Sequence, residues 1–420
     1  MFFIYSILYT LVAFILLLPE YLKRPAELRP RWLREKFGYL PEAASSIWVH
    51  AVSVGEVGAS IGLLQRLKAE YPDSALLLST VTDTGRKVAI GRVPEGTQVV
   101  YLPFDIGFIL RRCIKRLRPR IFIVVETELW PNAFRVLSQA GVPVVVVNGR
   151  ISERSVSGYR KISFFMKRVF SSAHGFGMQG EADAGRIIEI GAPKDKVAVT
   201  GNFKFDMKMP GEVPSWAGSL SGPLIVAGST HRGEEEVILD AYRENRGKFP
   251  HLSLILAPRH PERFREVEEL LKSAGFSYRK RSDLGETSGA GTGDGGVILL
   301  DTIGELSAIY GAADIAVIGK SFIGTGGQNP LEPAYWGKPV VCGPHMENFP
   351  FIKEFYLEGA AFEVDSNTLA KKIKELLLAP ESARATGLKA RELFMRNSGA
   401  VERAMGMIRD YINPAASVRQ

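Results

Sequence analysis

From Ile47 onward, short apolar runs rich in β-branched residues alternate with amphipathic stretches. Runs of this kind, without polar alternation, read as strands buried on both faces, the pattern of a parallel sheet covered by helices. A first series falls at residues 47–52, 75–80, 98–102, 121–125, 142–147, 174–178 and 197–200. A second falls at 224–227, 252–256, 297–300, 315–318 and 339–342. Between them, residues 207–215 carry Pro210, Gly211 and Pro214, the chemistry of a linker. The expected fold is α/β, two Rossmann-like doubly wound domains. Residues 23–206 form the first, 207–216 the linker and 217–420 the second, whose C-terminal helix is free to cross back. Ligands of such sheets bind beyond the carboxyl ends of the strands, so the expected site is a cleft between the halves.

The N-terminus breaks the alternation. Residues 2–18 contain no charge, and Pro19 follows. At 1.5 Å per residue this stretch sits at the short edge of what crosses about 30 Å of hydrocarbon. A cleaved signal peptide carries positive charge before its apolar run. Here the charge comes only after it, at Lys23 and Arg24, which places that flank in the cytoplasm. Residues 1–22 therefore read as an uncleaved anchor in the inner membrane. The pattern suits a spanning helix and a leaflet-lying one equally.

Composition then narrows the partners. A formal charge of +8 over 420 residues favours anions, and the cations crowd at 23–36, 111–120 and 150–168. None of these clusters has the interleaved stacking aromatics of a nucleic-acid motif, so nucleic acid is set aside for an anionic membrane surface or a phosphorylated lipid. The segment 164–170 mixes aromatics with Lys167 and Arg168. It serves as a membrane-surface helix or as a core helix with a solvated back. Cys113 and Cys342 have no metal or CxxC spacing and read as reduced thiols, and the six histidines show no metal spacing. No metal and no cofactor are expected.

Candidate chemistry gathers after the strands. Ser53-Val54-Gly55-Glu56 follows the first strand and opens a helix expected to run to about Glu70. Glu56 there reads either as a helix cap stabilised by the dipole or as a general base. Glu126-Thr127-Glu128-Leu129-Trp130-Pro131-Asn132 follows a wholly apolar strand, and Lys204-Phe205-Asp206 ends the first half. A lysine there suits charge developing on a phosphate or carboxylate. In the second half Pro258-Arg259-His260 offers an anion site near a helix start. Gly324-Thr325-Gly326-Gly327-Gln328-Asn329-Pro330-Leu331-Glu332 lets backbone approach a ligand and sets Glu332 to bind a ribose diol. GTGG is not a dinucleotide fingerprint, which disfavours dehydrogenase chemistry. The glycine-rich run 285–296 lacks the Lys-Ser/Thr pair of a phosphate loop and reads as a surface connection.

Together these motifs resemble the bacterial 3-deoxy-D-manno-octulosonic acid (Kdo) transferases, with Arg154-Ser155 and Gly158-Tyr159 adding to the match. The resemblance implies a GT-B fold and metal-free inverting transfer of Kdo from CMP-Kdo to the lipid A precursor. It implies Glu56 as catalytic base, and Glu126 and Lys204 as transition-state stabilisers. Pro258, Arg259, Ile303, Gly304, Glu305, Asn329, Pro330, Leu331 and Glu332 would contact CMP. The chain departs from the family pattern at Gln328, where histidine is frequent, and at Lys320, where glycine is usual. Another nucleotide-sugar enzyme of this fold, such as a hexosaminyl transferase or a sugar 2-epimerase, is the alternative. A non-catalytic membrane-bound nucleotide sensor is a third reading.

Overall fold

A computed structural model describes residues 1–285 and 295–413. Most of the glycine-rich run 285–296 thus lies outside the described residues. The chain forms two compact units, Met1–Met207 with Asn397–Gln420, and Lys208–Arg396.

The first unit holds β1 (Ser46–His50), β2 (Ala75–Thr80), β3 (Gln98–Tyr101), β4 (Pro119–Val125), β5 (Val144–Gly149), β6 (Gly175–Met178) and β7 (Val197–Val199). They pair in parallel in the order β3-β2-β1-β4-β5-β6-β7. Alternate residues of one strand feed two cores. Phe122 and Val124 of β4 join Val144 and Val146 of β5 on one face. Ile121, Ile123 and Val125 join Val145 and Val147 on the other. Both faces are covered, which is why these strands are apolar throughout. Each such side chain contributes roughly 1.5–3 kcal/mol relative to exposure, enough to offset the entropy of ordering its residue. Helix Ala400–Ile412 seals the second face with Val401, Ala404, Met405, Ile408 and Ile412.

The second unit holds β8 (Leu224–Thr230), β9 (Ser253–Pro258), β10 (Tyr278–Lys280), β11 (Val297–Leu299), β12 (Ile315–Ile318), β13 (Val340–Cys342) and β14 (Ala361–Glu363). The order is β10-β11-β9-β8-β12-β13-β14, again parallel. Two of these strands escape the hydrophobic pattern. Both β10 and β14 are three-residue edge strands, and Arg279, Lys280 and Glu363 supply too much polarity for a buried-strand signature.

The N-terminal helix runs Phe2–Leu22, through Pro19 rather than up to it. Proline in the last turn forfeits one backbone bond, and Lys23 N still donates to Pro19 O at 3.0 Å.

In a doubly wound sheet the ligand crevice lies where the strand order reverses. That point falls between β1 and β4 in the first unit, and between β8 and β12 in the second.

Candidate active site

Glu56 follows β1 and Glu126 follows β4, so they flank the switch point of the first sheet. Ser53 caps helix Val54–Glu70 by accepting a bond from Glu56 N at 3.4 Å. The carboxylate reaches back, accepting from Val52 N at 2.7 Å and from Ser53 Oγ at 2.9 Å. This reciprocal arrangement is a capping box. Each oxygen keeps a second lone pair, so capping and base chemistry coexist in one side chain. Glu56 is buried, and burial raises its pKa against the lowering pull of those bonds.

Glu126 sits in the left-handed region at φ 62°, its N–H held by Val147 O at 2.9 Å. Burial raises its pKa, and the negative charge of Glu56 adds to the rise, while Lys204 and Arg150 pull it down. Lys204, in the short turn Phe203–Asp206, has its own pKa lowered by burial and raised by Glu126. The structure therefore gathers Glu56, Glu126 and Lys204 into one electrostatic group. The loops around them are stitched together. Thr127 Oγ1 donates to Arg150 O at 2.5 Å and accepts from Arg150 N at 2.9 Å, while Asn148 Oδ1 accepts from Phe203 N at 3.0 Å. Asp206 caps helix Ala400–Ile412 through Gly399 N and Val401 N, each at 2.5 Å.

Glu128 is drawn into the same group. Burial, then Glu56, then Glu126 push its pKa up to about 7. An unfolded glutamate titrates near 4.3. Above pH 7 the folded state bears the full cost of this charge. As pH falls through 7 the folded carboxylate takes up its proton first, and stability is gained. Glu128→Gln, neutral throughout, is expected to raise the melting temperature at pH 8, and that gain should shrink at pH 5. Equal gains at both pH values in thermal melts would remove Glu128 from the carboxylate group.

Two supporting residues carry no motif of their own. His50, fully buried at the end of β1, has Nδ1 3.0 Å from Ser79 O, and its Nε2 accepts from Trp130 Nε1 at 3.2 Å. That pairing requires the Nδ1–H tautomer, and burial drives the imidazole pKa down to about 3, so the ring stays neutral. Asp105, also buried, accepts from Asn132 N at 3.0 Å and Ala133 N at 2.6 Å, capping helix Pro131–Gln139 from a distant loop. Only a strand-end aspartate could have flagged it in the sequence.

In the second unit Pro258 ends β9, Arg259 follows it, Ile303, Gly304 and Glu305 come after β11, and Asn329, Pro330, Leu331 and Glu332 come after β12. All lie beyond carboxyl ends of neighbouring strands. Arg259 is exposed and its charge lowers the pKa of Glu332, which burial raises. Asn329 Oδ1 accepts from Leu331 N at 3.1 Å, and its Nδ2 is 3.4 Å from Glu332 Oε1. The Glu305 carboxylate is engaged by Arg281 Nε at 3.0 Å and by the hydroxyl of Thr302. Any ligand contact at 303–305 thus falls to backbone and to Ile303, which is 80% exposed. Glu234, wholly buried, accepts from the backbone N–H groups of His231, Lys320, Ser321 and Phe322, tying the loop after β8 to the loop after β12. Lys320 has φ 56°, which explains why glycine suits this position: it takes left-handed backbone without penalty. A cavity of about 780 Å³ opens at the opposite edge of this sheet, beside Pro223, Asp314 and Lys338, away from all these residues.

Residues 31–207 match the family described as 3-deoxy-D-manno-octulosonic-acid transferase (kdotransferase). The 3-deoxy-D-manno-octulosonic acid transferase of Haemophilus influenzae is 36% identical over 393 residues, covering 90% of this chain and 91% of its own. This chain belongs to the 3-deoxy-D-manno-octulosonic acid transferase family. The Bordetella pertussis transferase is 33% identical over 88% of each chain. Among solved structures, a UDP-N-acetylglucosamine 2-epimerase aligns over 91% of this glycosyltransferase with a TM-score of 0.57 at 13% identity. The UDP-GlcNAc 2-epimerase of Neisseria meningitidis aligns over 84% with a TM-score of 0.52 at 13% identity. Those two establish a shared GT-B fold. Whole-length sequence identity, not fold, separates the transferase from the epimerases.

Proposed function

We propose that this transferase moves Kdo from CMP-Kdo to the lipid A precursor in lipopolysaccharide synthesis, with Glu56 as general base. The observation that carries the mechanism is the position of Glu56: a buried carboxylate of raised pKa, at the switch point of the first sheet, grouped with Glu126 and Lys204. An acceptor hydroxyl attacks the anomeric carbon of Kdo as its bond to the CMP phosphate oxygen breaks. Glu56 takes the hydroxyl proton, and the bonding pair leaves with CMP. One displacement inverts the anomeric centre. A base tuned upward by burial suits proton transfer near neutral pH. Lys204 offsets negative charge as the phosphate departs, and Glu126 sets the lysine's field. Arg259 meets the nucleotide phosphate and Glu332 the ribose diol.

The transferase would work at the cytoplasmic face of the inner membrane, bound through helix Phe2–Leu22, which is long and apolar enough to cross a bilayer. The basic run 111–120 supports this only in part. Arg112 donates to Phe37 O and Arg116 to Leu40 O, leaving Arg111 and Lys115 exposed for anionic headgroups. Helix Ser163–Ser171 turns Met166, Val169 and Phe170 into the core and Phe164 outward.

The test is incubation with CMP-Kdo and lipid A precursor followed by mass analysis. Addition of Kdo is expected, with no turnover of UDP-sugars. Nucleotide binding without product would refute the reading in favour of a sensor.

A further inference from the structure

The Phe2–Leu22 helix is bound to the first unit along its whole length. Phe2, Tyr9, Ala13, Leu17 and Tyr21, one turn apart in succession, pack against that unit's core. Phe2 meets Phe165 at 5.4 Å between ring centroids, Tyr9 meets Trp130 at 6.5 Å, and Tyr21 meets Trp32 at 6.4 Å. Tyr5 Oη donates to Asp105 Oδ2 at 2.8 Å, and Ser6 Oγ donates to Asn132 Oδ1 at 3.1 Å. At the far end Arg29 Nη2 donates to Leu22 O at 2.7 Å.

The opposite face is bare and apolar. Eleven large hydrophobic side chains between positions 3 and 22 are each 49–76% exposed. A helix of 21 residues is about 31 Å long, close to the thickness of the hydrocarbon layer. If it crossed the bilayer with these contacts intact, Asp105, Asn132 and the Trp130 loop would be carried into lipid with it. Buried there, the charged and polar surface around them would have no solvent. Docking and spanning are therefore mutually exclusive.

We infer that this helix does not cross the membrane: it lies in the plane of one anionic leaflet, inner face on the first unit and outer face in the acyl chains. The inference rests on the membrane reading above. Beside the helix, exposed Phe164 adjoins Phe165 and stacks under Arg168 at 4.7 Å, while Ile162 and Phe108 are exposed with Lys161 and Arg111 close to them in sequence. Apolar residues interleaved with cations match a leaflet of acidic headgroups. A second copy of the chain would bring like cations together.

The full-length enzyme, carrying a short cysteine-containing peptide ahead of Met1, tests the placement with a membrane-impermeant maleimide. The native thiols Cys113 and Cys342 are buried, so the unmodified chain gives the background. Labelling in inverted membrane vesicles but not on intact spheroplasts is expected. Labelling from the outer side would overturn the in-plane placement and leave the membrane reading standing. Recovery of the chain in the soluble fraction, or as a lipid-free dimer, would overturn both. The double variant Ile7→Asp, Leu11→Asp touches only the outer face. It should keep its melting temperature and bind vesicles of anionic phospholipid at least tenfold more weakly; unchanged binding would also overturn the inference.

Discussion

Glu56→Gln is expected to lower Kdo turnover by about 10²- to 10⁴-fold, the range a positioned general base supplies. The substitution is nearly isosteric, and its structural cost is bounded by the contacts described. The amide keeps one acceptor oxygen for Val52 N or Ser53 Oγ, so a single cap bond is disturbed, worth about 0.5–2 kcal/mol. Against that loss, removing a buried charge whose pKa is raised relieves desolvation. The melting temperature should hardly move while turnover collapses. Ser53→Ala is the counterpart: it should cost stability through the cap and spare most of the rate. Turnover by the wild type should fall as pH drops through a value above the ordinary carboxylate range, because the base must be ionised and its pKa is raised. Near-normal rates for Glu56→Gln, measured with saturating CMP-Kdo, would reduce this carboxylate to a helix cap.

The second large effect is on stability. Glu234→Ala leaves four backbone N–H groups around a buried void, and unsatisfied donors of this kind cost about 1–3 kcal/mol each. With partial relaxation a loss of about 3–5 kcal/mol is expected. For a unit of this size that lowers the melting temperature by roughly 10 °C. Because the freed loop leads into Gly324–Glu332, CMP affinity measured calorimetrically below the transition should fall as well. A variant that melts like wild type would mean that water or a rotated side chain replaces the carboxylate.

The architecture could be read from residue order because most of its central strands are buried on both faces. Runs such as Ile121–Val125 and Val144–Val147 leave no other assignment. The edge strands β10 and β14 could not be read, since three residues with one side in water carry no period. At the site, the motifs announced which residues matter but not how they are held. Ser53-x-x-Glu56 signals a capping box, and the structure adds that the same carboxylate is buried beside Glu126. The His50–Trp130 bond joins positions eighty residues apart, and Asp105 caps a helix begun twenty-six residues later. Such pairings depend on tertiary proximity and leave no local trace.

Glu126 is held at φ 62°, a backbone setting that disfavours every side chain and suits glycine. A single base change in a glutamate codon yields glycine. Selection for heat resistance alone would therefore tend to erase this carboxylate, and only selection on Kdo transfer retains it. The residue marks a point where the folding optimum and the working optimum of the same chain part company.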